Sequence, residues 1–138
     1  MVSFDERALL DAARAVRANA YAPYSRFEVG AAVLDGEGRI FVGVNVENSS
    51  YPVGICAEVN AIGTAVTSGA RSIVAIAVVT PLSPKGELGT PCGACRQAIA
   101  ELAAPGLPVI LGSPDPDVPT LRFSIEELLP RAFGPSSL

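Results

Sequence analysis

Three cysteines and no histidine are all the soft metal ligands that this 138-residue chain offers. They stand in two short phrases, Cys56-Ala57-Glu58 and Pro91-Cys92-Gly93-Ala94-Cys95. A structural zinc site usually fills all four positions with Cys or His, whereas a catalytic one uses three protein ligands and keeps a position open. Three thiolates alone therefore point to the open kind, with water, substrate or a carboxylate completing the set. Glu58 lies two residues from the first thiol and is free to move protons.

Other uses of the cysteines explain less. A bare C-x-x-C suits a redox pair, but it leaves Cys56 without a role. Inert core cysteines need no common spacing at all. A disulfide framework leaves one thiol over, and the opening Met1-Val2-Ser3-Phe4-Asp5 lacks the basic start and apolar run of a secretory leader. Reduced thiols in a cytoplasmic protein are the expectation.

Length and composition narrow the partners. A chain of 138 residues suits one domain, 1–138, with a core of its own. Half the residues are apolar (49%), but charges interrupt every long apolar stretch, so no membrane span is expected. A net charge of −4 disfavours a nucleic-acid polymer, which calls for clustered Lys and Arg. A small-molecule substrate is the remaining choice.

The elements that must position the cysteines alternate in type. Ser3 and Glu6 form a capping-box pattern, and Leu9, Leu10, Ala13 and Val16 recur at helical spacing up to about Ala20. Segments 29–34 and 39–44 flank Asp35-Gly36-Glu37-Gly38 as a hairpin. A second helix is predicted from about Cys56 to Ser68, stopped by Gly69. The β-branched run 73–79 reads as a buried strand. A third helix is predicted over about 92–103, then strands at 107–111 and 121–123. Ser124 and Glu127 begin a short last helix as a second capping box. The pattern is α/β, a central sheet with helices on both faces.

On this layout Cys56 opens one helix while Cys92 and Cys95 open another. Positions i and i+3 share a helix face, so the second pair can grip one ion together. Helix N-termini favour thiolates through their unpaired N–H groups and dipoles. Two converging N-termini would offset the charge of −1 left by three thiolates around Zn²⁺. Pro91 suits the helix start because it has no N–H to orphan.

C-A-E followed by P-C-x-x-C is the signature of zinc-dependent nucleoside deaminases, whose metal site and glutamate have a known general form. Five separated blocks carry the match in order: Tyr21-Ala22-Pro23-Tyr24-Ser25-Arg26-Phe27, Val29-Gly30-Ala31-Ala32, Asn45-Val46-Glu47-Asn48, Pro91-Cys92-Gly93-Ala94-Cys95-Arg96-Gln97 and Glu127-Leu128-Leu129-Pro130 with Phe133-Gly134. Across nearly its whole length the chain resembles the small, homotetrameric cytidine deaminases. The resemblance implies a three-layer α/β/α sandwich around a mixed sheet of about five strands.

The resemblance also implies roles. Cys56, Cys92 and Cys95 would hold one Zn²⁺ per chain, with Glu58 as the proton shuttle. The Ala57 N–H would hold the base carbonyl, and the Thr90 carbonyl would accept from the departing amino group. Asn45 and Glu47 would hold the ribose hydroxyls, with Phe27 packing on the nucleoside. Phe133, and Tyr51 with it, would reach into a neighbouring subunit's site. The chemistry suits these residue types. A zinc-bound water has a pKa of about 7, and one carboxylate serving as base and then acid removes the need for a histidine.

Plainer readings stand beside these roles. Glu58 could be a first-turn glutamate favoured by the helix dipole, Asn45 an Asx-turn that ends a strand, and Glu47 a solvated charge. Phe27 and Phe133 could be core residues. Arg96, beside Cys95, could face solvent or partner a thiolate. One position departs from the family pattern: the arginine usual after the glutamate is Val59 here, followed by Asn60. Val59 shares a helix face with Ile62 and Val66, so it reads as core. Blasticidin S deaminase-like enzymes also lack that arginine.

Deamination of cytidine and deoxycytidine in pyrimidine salvage is therefore the leading expectation. The alternatives are deamination of a modified aminopyrimidine nucleoside such as blasticidin S and a non-catalytic zinc-binding module. Phe27, Asn45 and Glu47 weigh against the first, and Glu58 against the second.

Overall fold

The computed structural model describes residues 3–138. In chain order the elements are α1 (Glu6–Arg17), β1 (Gly30–Asp35), β2 (Ile40–Val44), α2 (Ala57–Thr67), β3 (Ile73–Val79), α3 (Gly93–Leu102), β4 (Pro108–Gly112), β5 (Leu121–Ser124) and α4 (Ile125–Leu128), with 3-10 turns at Tyr51–Val53 and Pro135–Ser137. The five strands form one sheet in the order β2-β1-β3-β4-β5. Only β3 and β4 run parallel; the other neighbouring pairs are antiparallel. The helix α3 makes the crossover that a parallel pair requires.

Helices cover both faces of the sheet, as the alternation of elements predicts. β3 is an unbroken apolar run because it is buried on both sides. Its Ala75, Ala77 and Val79 pack with Leu9, Leu10 and Ala13 of α1. Its Ile76 and Val78 pack with Ala57, Ala61, Ile62 and Ala65 of α2 and Ile99 of α3. The two chemistry-bearing helices thus share one face, and among the described residues α1 alone covers the other.

Close backbone approach seats α2 on the sheet. A Cβ at Gly43 of β2 would lie 2.7 Å from the Ala57 carbonyl oxygen and 2.9 Å from the Ala61 Cα. Only glycine at that position leaves room for the first two turns of α2 against the strand.

Several boundaries differ from the sequence reading. The first helix begins at Glu6 with Asp5 as its cap, its carboxylate accepting from the Ala8 N–H at 3.0 Å. Ser3 and Glu6 therefore form no capping box, and Glu6 pairs instead with Arg122 of β5 at 2.8 Å. This helix ends at Arg17 rather than near Ala20. The Ser124–Glu127 capping box is present, with both of its hydrogen bonds. Gly69, at φ +101, ends α2 as expected.

Candidate functional site

The cysteines occupy the two helix starts foreseen for them, one residue further out. Cys56 caps α2 and Cys92 caps α3, both in extended backbone, and neither side chain makes a capping hydrogen bond. An N-cap serine or aspartate would turn its oxygen back onto the first-turn N–H groups. Each cysteine instead keeps its sulfur available at the head of its helix, where the first-turn N–H groups favour a thiolate. Cys95, in the first turn of α3, is fully buried, whereas Cys56 and Cys92 are exposed.

The three sulfurs lie within 4.8 Å of one another. Tetrahedral zinc with Zn–S bonds of ~2.3 Å sets its sulfurs about 3.8 Å apart, so the cluster is of the right size. Soft thiolates and no histidine also suit zinc among the common metals. These residues fit the ion.

Glu58 follows Cys56 by two residues and is only 6% exposed. Burial pushes its carboxyl above the ordinary value, against hydrogen bonds from its own N–H and the Cys95 thiol. Burial likewise raises Cys56, and burial plus the nearby charges of Glu58 and Cys56 raise Cys95 far above an ordinary thiol. Cys92 is lowered, chiefly by the Cys95 N–H. A bound cation overrides this order, because a coordinating thiol loses its proton outright.

The cluster opens into a cleft of about 200 Å³ lined by Phe27, Val29, Asn45, Cys56, Ala57, Glu58, Thr80, Thr90, Cys92 and Cys95. Of the residues singled out from sequence, eight meet there. Glu47 and Tyr51 line a separate depression of about 210 Å³ with Tyr24, Asn48 and Gly54. Phe133 lies on the surface, 62% exposed, and its carbonyl accepts from Gln97 Nε2 at 2.9 Å. A roomier apolar hollow of about 290 Å³, by Phe4, Ala8, Leu34 and Ile40, gathers no metal-ligating set.

Asn45 and Glu47 both bind the loop that carries Phe27. Asn45 accepts from the Val29 N–H at 2.9 Å and donates to the Phe27 carbonyl at 2.7 Å. Glu47 accepts from the Tyr24 and Ser25 N–H groups at 3.0 and 3.1 Å and from the Ser25 hydroxyl. Those bonds, from the Ser25 hydroxyl foremost, hold its carboxyl below the usual range. Neither residue is a plain Asx-turn or a solvated charge.

Two sequence expectations are corrected here. Val59 is not core: it is 38% exposed, while its neighbours Glu58 and Ile62 turn inward. Arg96 donates to oxygens, namely the Pro91 and Leu128 carbonyls at 2.7 and 2.8 Å and the Thr90 hydroxyl at 3.2 Å. Thr80, Val29 and Ser25 were missed. Thr80 was visible only as the first polar residue after the apolar run of β3. It accepts from the Gly89 N–H at 3.0 Å and so holds the loop that leads to Thr90.

An α/β/α sandwich that presents three converging thiols and a buried carboxylate at two helix starts defines a zinc-binding hydrolase site. The family described as "Cytidine and deoxycytidylate deaminase zinc-binding region" matches residues 3–110, and the chain belongs to it. Relatives agree along most of their length. The chain is 43% identical over 129 residues to the cytidine deaminase of Halalkalibacterium halodurans, covering 94% of each. The crystal structure of cytidine deaminase from Burkholderia pseudomallei superposes with a TM-score of 0.85 at 43% identity, over 94% of this chain and 100% of that one. That from Mycobacterium tuberculosis gives 0.79 at 37% identity, over 96% and 99%. The chain is thus a deaminase of a zinc-binding family.

Proposed function

We propose that the protein hydrolyses cytidine and deoxycytidine to uridine and deoxyuridine with release of ammonia, in pyrimidine salvage. One observation carries the reading: three thiols within 4.8 Å of one another share a cleft with a buried glutamate. The likeness to enzymes named cytidine deaminase, at 43% identity over 94% of each chain, selects the substrate. On this reading residues 1–138 are a single catalytic domain and the enzyme works in the cytoplasm. Among the described residues no helix is long and apolar enough to cross a membrane.

Cys56, Cys92 and Cys95 would hold one zinc ion, which when bound supplies an activated water as nucleophile. Glu58 would take one proton from that water and deliver it to the ring nitrogen as C4 is attacked, then take the second from the new C4 hydroxyl and pass it to the departing amine. Its burial in the cleft keeps bulk water from competing for the proton. The Ala57 N–H lies in the first turn of α2, where donors have no helical partner, and would hold the base carbonyl. The Thr90 carbonyl, in the same cleft, would accept from the amino group that leaves. Phe27 packs on the nucleoside from the loop that Asn45 fixes, and the second Nδ2 hydrogen of Asn45 remains for a ribose hydroxyl. Glu47 would hold the other hydroxyl beside the loop it anchors.

The cleft of about 200 Å³ is small beside ordinary ligand pockets of ~300–1,000 Å³, so neighbours must complete it. Tyr24, Phe27, Tyr51, Val53, Ile55, Val59 and Phe133 are all exposed, large apolar side chains of the kind that subunit contacts cover. A homotetramer with Phe133 and Tyr51 reaching into adjoining sites accounts for them. Phe133→Ala is then expected to raise KM while zinc stays bound. Mixed with inactive Glu58→Gln subunits it should regain activity, because a hybrid site joins an intact Glu58 to an intact Phe133. Light scattering that finds a fully active monomer would end this part of the proposal.

Ammonia release from a panel of aminopyrimidine nucleosides tests the substrate. Cytidine and deoxycytidine are expected to react. Reaction with blasticidin S alone would refute the choice and leave only the reaction class.

A further inference from the structure

Arg96 carries the most hydrogen bonds of any side chain around the cysteines, and none of the roles above uses it. It stands in the first turn of α3, directly after Cys95. Its guanidinium reaches back past the start of its own helix to the Pro91 carbonyl at 2.7 Å and the Thr90 hydroxyl at 3.2 Å. A third donor runs to the Leu128 carbonyl at 2.8 Å, at the last residue of α4. Arginine suits this task, since its rigid fork presents five donors in fixed directions. A lysine offers a single nitrogen and cannot meet oxygens on both sides.

The segment so gripped is the one that must be placed most closely. Thr90, Pro91 and Cys92 are consecutive, and the Cys92 side chain makes no capping bond of its own. Pro91 contributes no N–H, so its carbonyl is its only polar anchor. The loop before it is held at Gly89 by Thr80. Between that point and the helix, the described side-chain hydrogen bonds to Thr90 and Pro91 come from Arg96 alone.

We propose that Arg96 is a positioning residue: by clamping Thr90–Pro91 to the end of α4 it sets the Cys92 thiol and the Thr90 carbonyl in place. It acts through their backbone rather than through its charge on sulfur. This rests on the reading of the three cysteines as zinc ligands. Groups that orient a metal's ligands typically contribute 10–100-fold in affinity or activity.

The test compares wild type with Arg96→Met and Arg96→Lys. Zinc affinity is read by chelator competition, and ligand geometry by the visible absorption of the cobalt-substituted protein. Both variants are expected to bind zinc about 10–100-fold more weakly and to alter the cobalt bands. Wild-type zinc affinity and an unchanged cobalt spectrum in both would overturn the proposal. So would a Lys variant that behaves as wild type beside a weakened Met variant, since charge alone would then suffice. Arg96→Lys keeps the charge and the aliphatic stem, so the test survives if Arg96→Met does not fold. A wild-type protein that binds no zinc would instead overturn the reading of the cysteines, and this inference with it.

Discussion

Glu58→Gln is expected to keep the fold and the bound zinc while lowering kcat about 10⁴-fold, the upper end for a general acid–base group. The amide has nearly the shape of the carboxylate, and its N–H can donate to a ligand thiolate. It cannot carry the first proton of water to the ring nitrogen or the second, from the C4 hydroxyl, to the amine. One group serves both transfers, so its loss is felt at each. The expected deficit corresponds to about 5 kcal/mol of barrier. Stability should move the other way. Burial raises the carboxyl above its ordinary 4.5, so ionised Glu58 lowers the stability of metal-free protein progressively as pH rises from that value through its folded one. The metal-free Gln variant should therefore melt higher than metal-free wild type at pH 7, with the gap closing near pH 4. Steady-state rates with cytidine, metal content and melting curves decide the matter. Activity within a few-fold of wild type would remove Glu58 from the centre of the mechanism.

That the sequence reaches so far into the site follows from where the information lies. Cys56, Cys92, Cys95 and Glu58 announce themselves by residue type and spacing, and the helices that carry them by caps and periodicity. β3 is legible because a strand covered on both faces must be apolar throughout. What stays hidden depends on which groups tertiary structure brings alongside. Arg96 meets the Leu128 carbonyl across 32 positions, and no local pattern specifies that meeting. Asn45 and Glu47 find backbone N–H and carbonyl groups of the Phe27 loop, and backbone partners leave no mark in side-chain identity. Val59 shares a helix face with apolar neighbours, yet that periodicity cannot say where the covered stripe ends. At 38% exposed, it lies beyond that edge. At α1 two acceptable caps competed within three residues, and Asp5 prevailed over Ser3.

Cys95→Ala should abolish both zinc binding and activity while leaving a folded protein. Of the three thiols Cys95 alone is fully buried, so neither water nor a surface carboxylate can step into its place. Two exposed thiols on separate helix starts would remain, one short of the three protein ligands that catalytic zinc sites use. Apparent zinc binding by complete Cys/His sets is on the order of 10–16 kcal/mol. A third of that would weaken the site by roughly 10²–10⁴-fold, enough for a mild chelator to strip it. The fold does not rest on the sulfur: both faces of the sheet are filled by aliphatic clusters that include no cysteine. Removing one buried heavy atom costs only about 1 kcal/mol. Elemental analysis after dialysis should then find close to one zinc per wild-type chain and almost none in the variant, with circular dichroism unchanged. A variant that retains stoichiometric zinc and turns over cytidine would show that Cys95 is packing alone and that the metal site has been drawn in the wrong place.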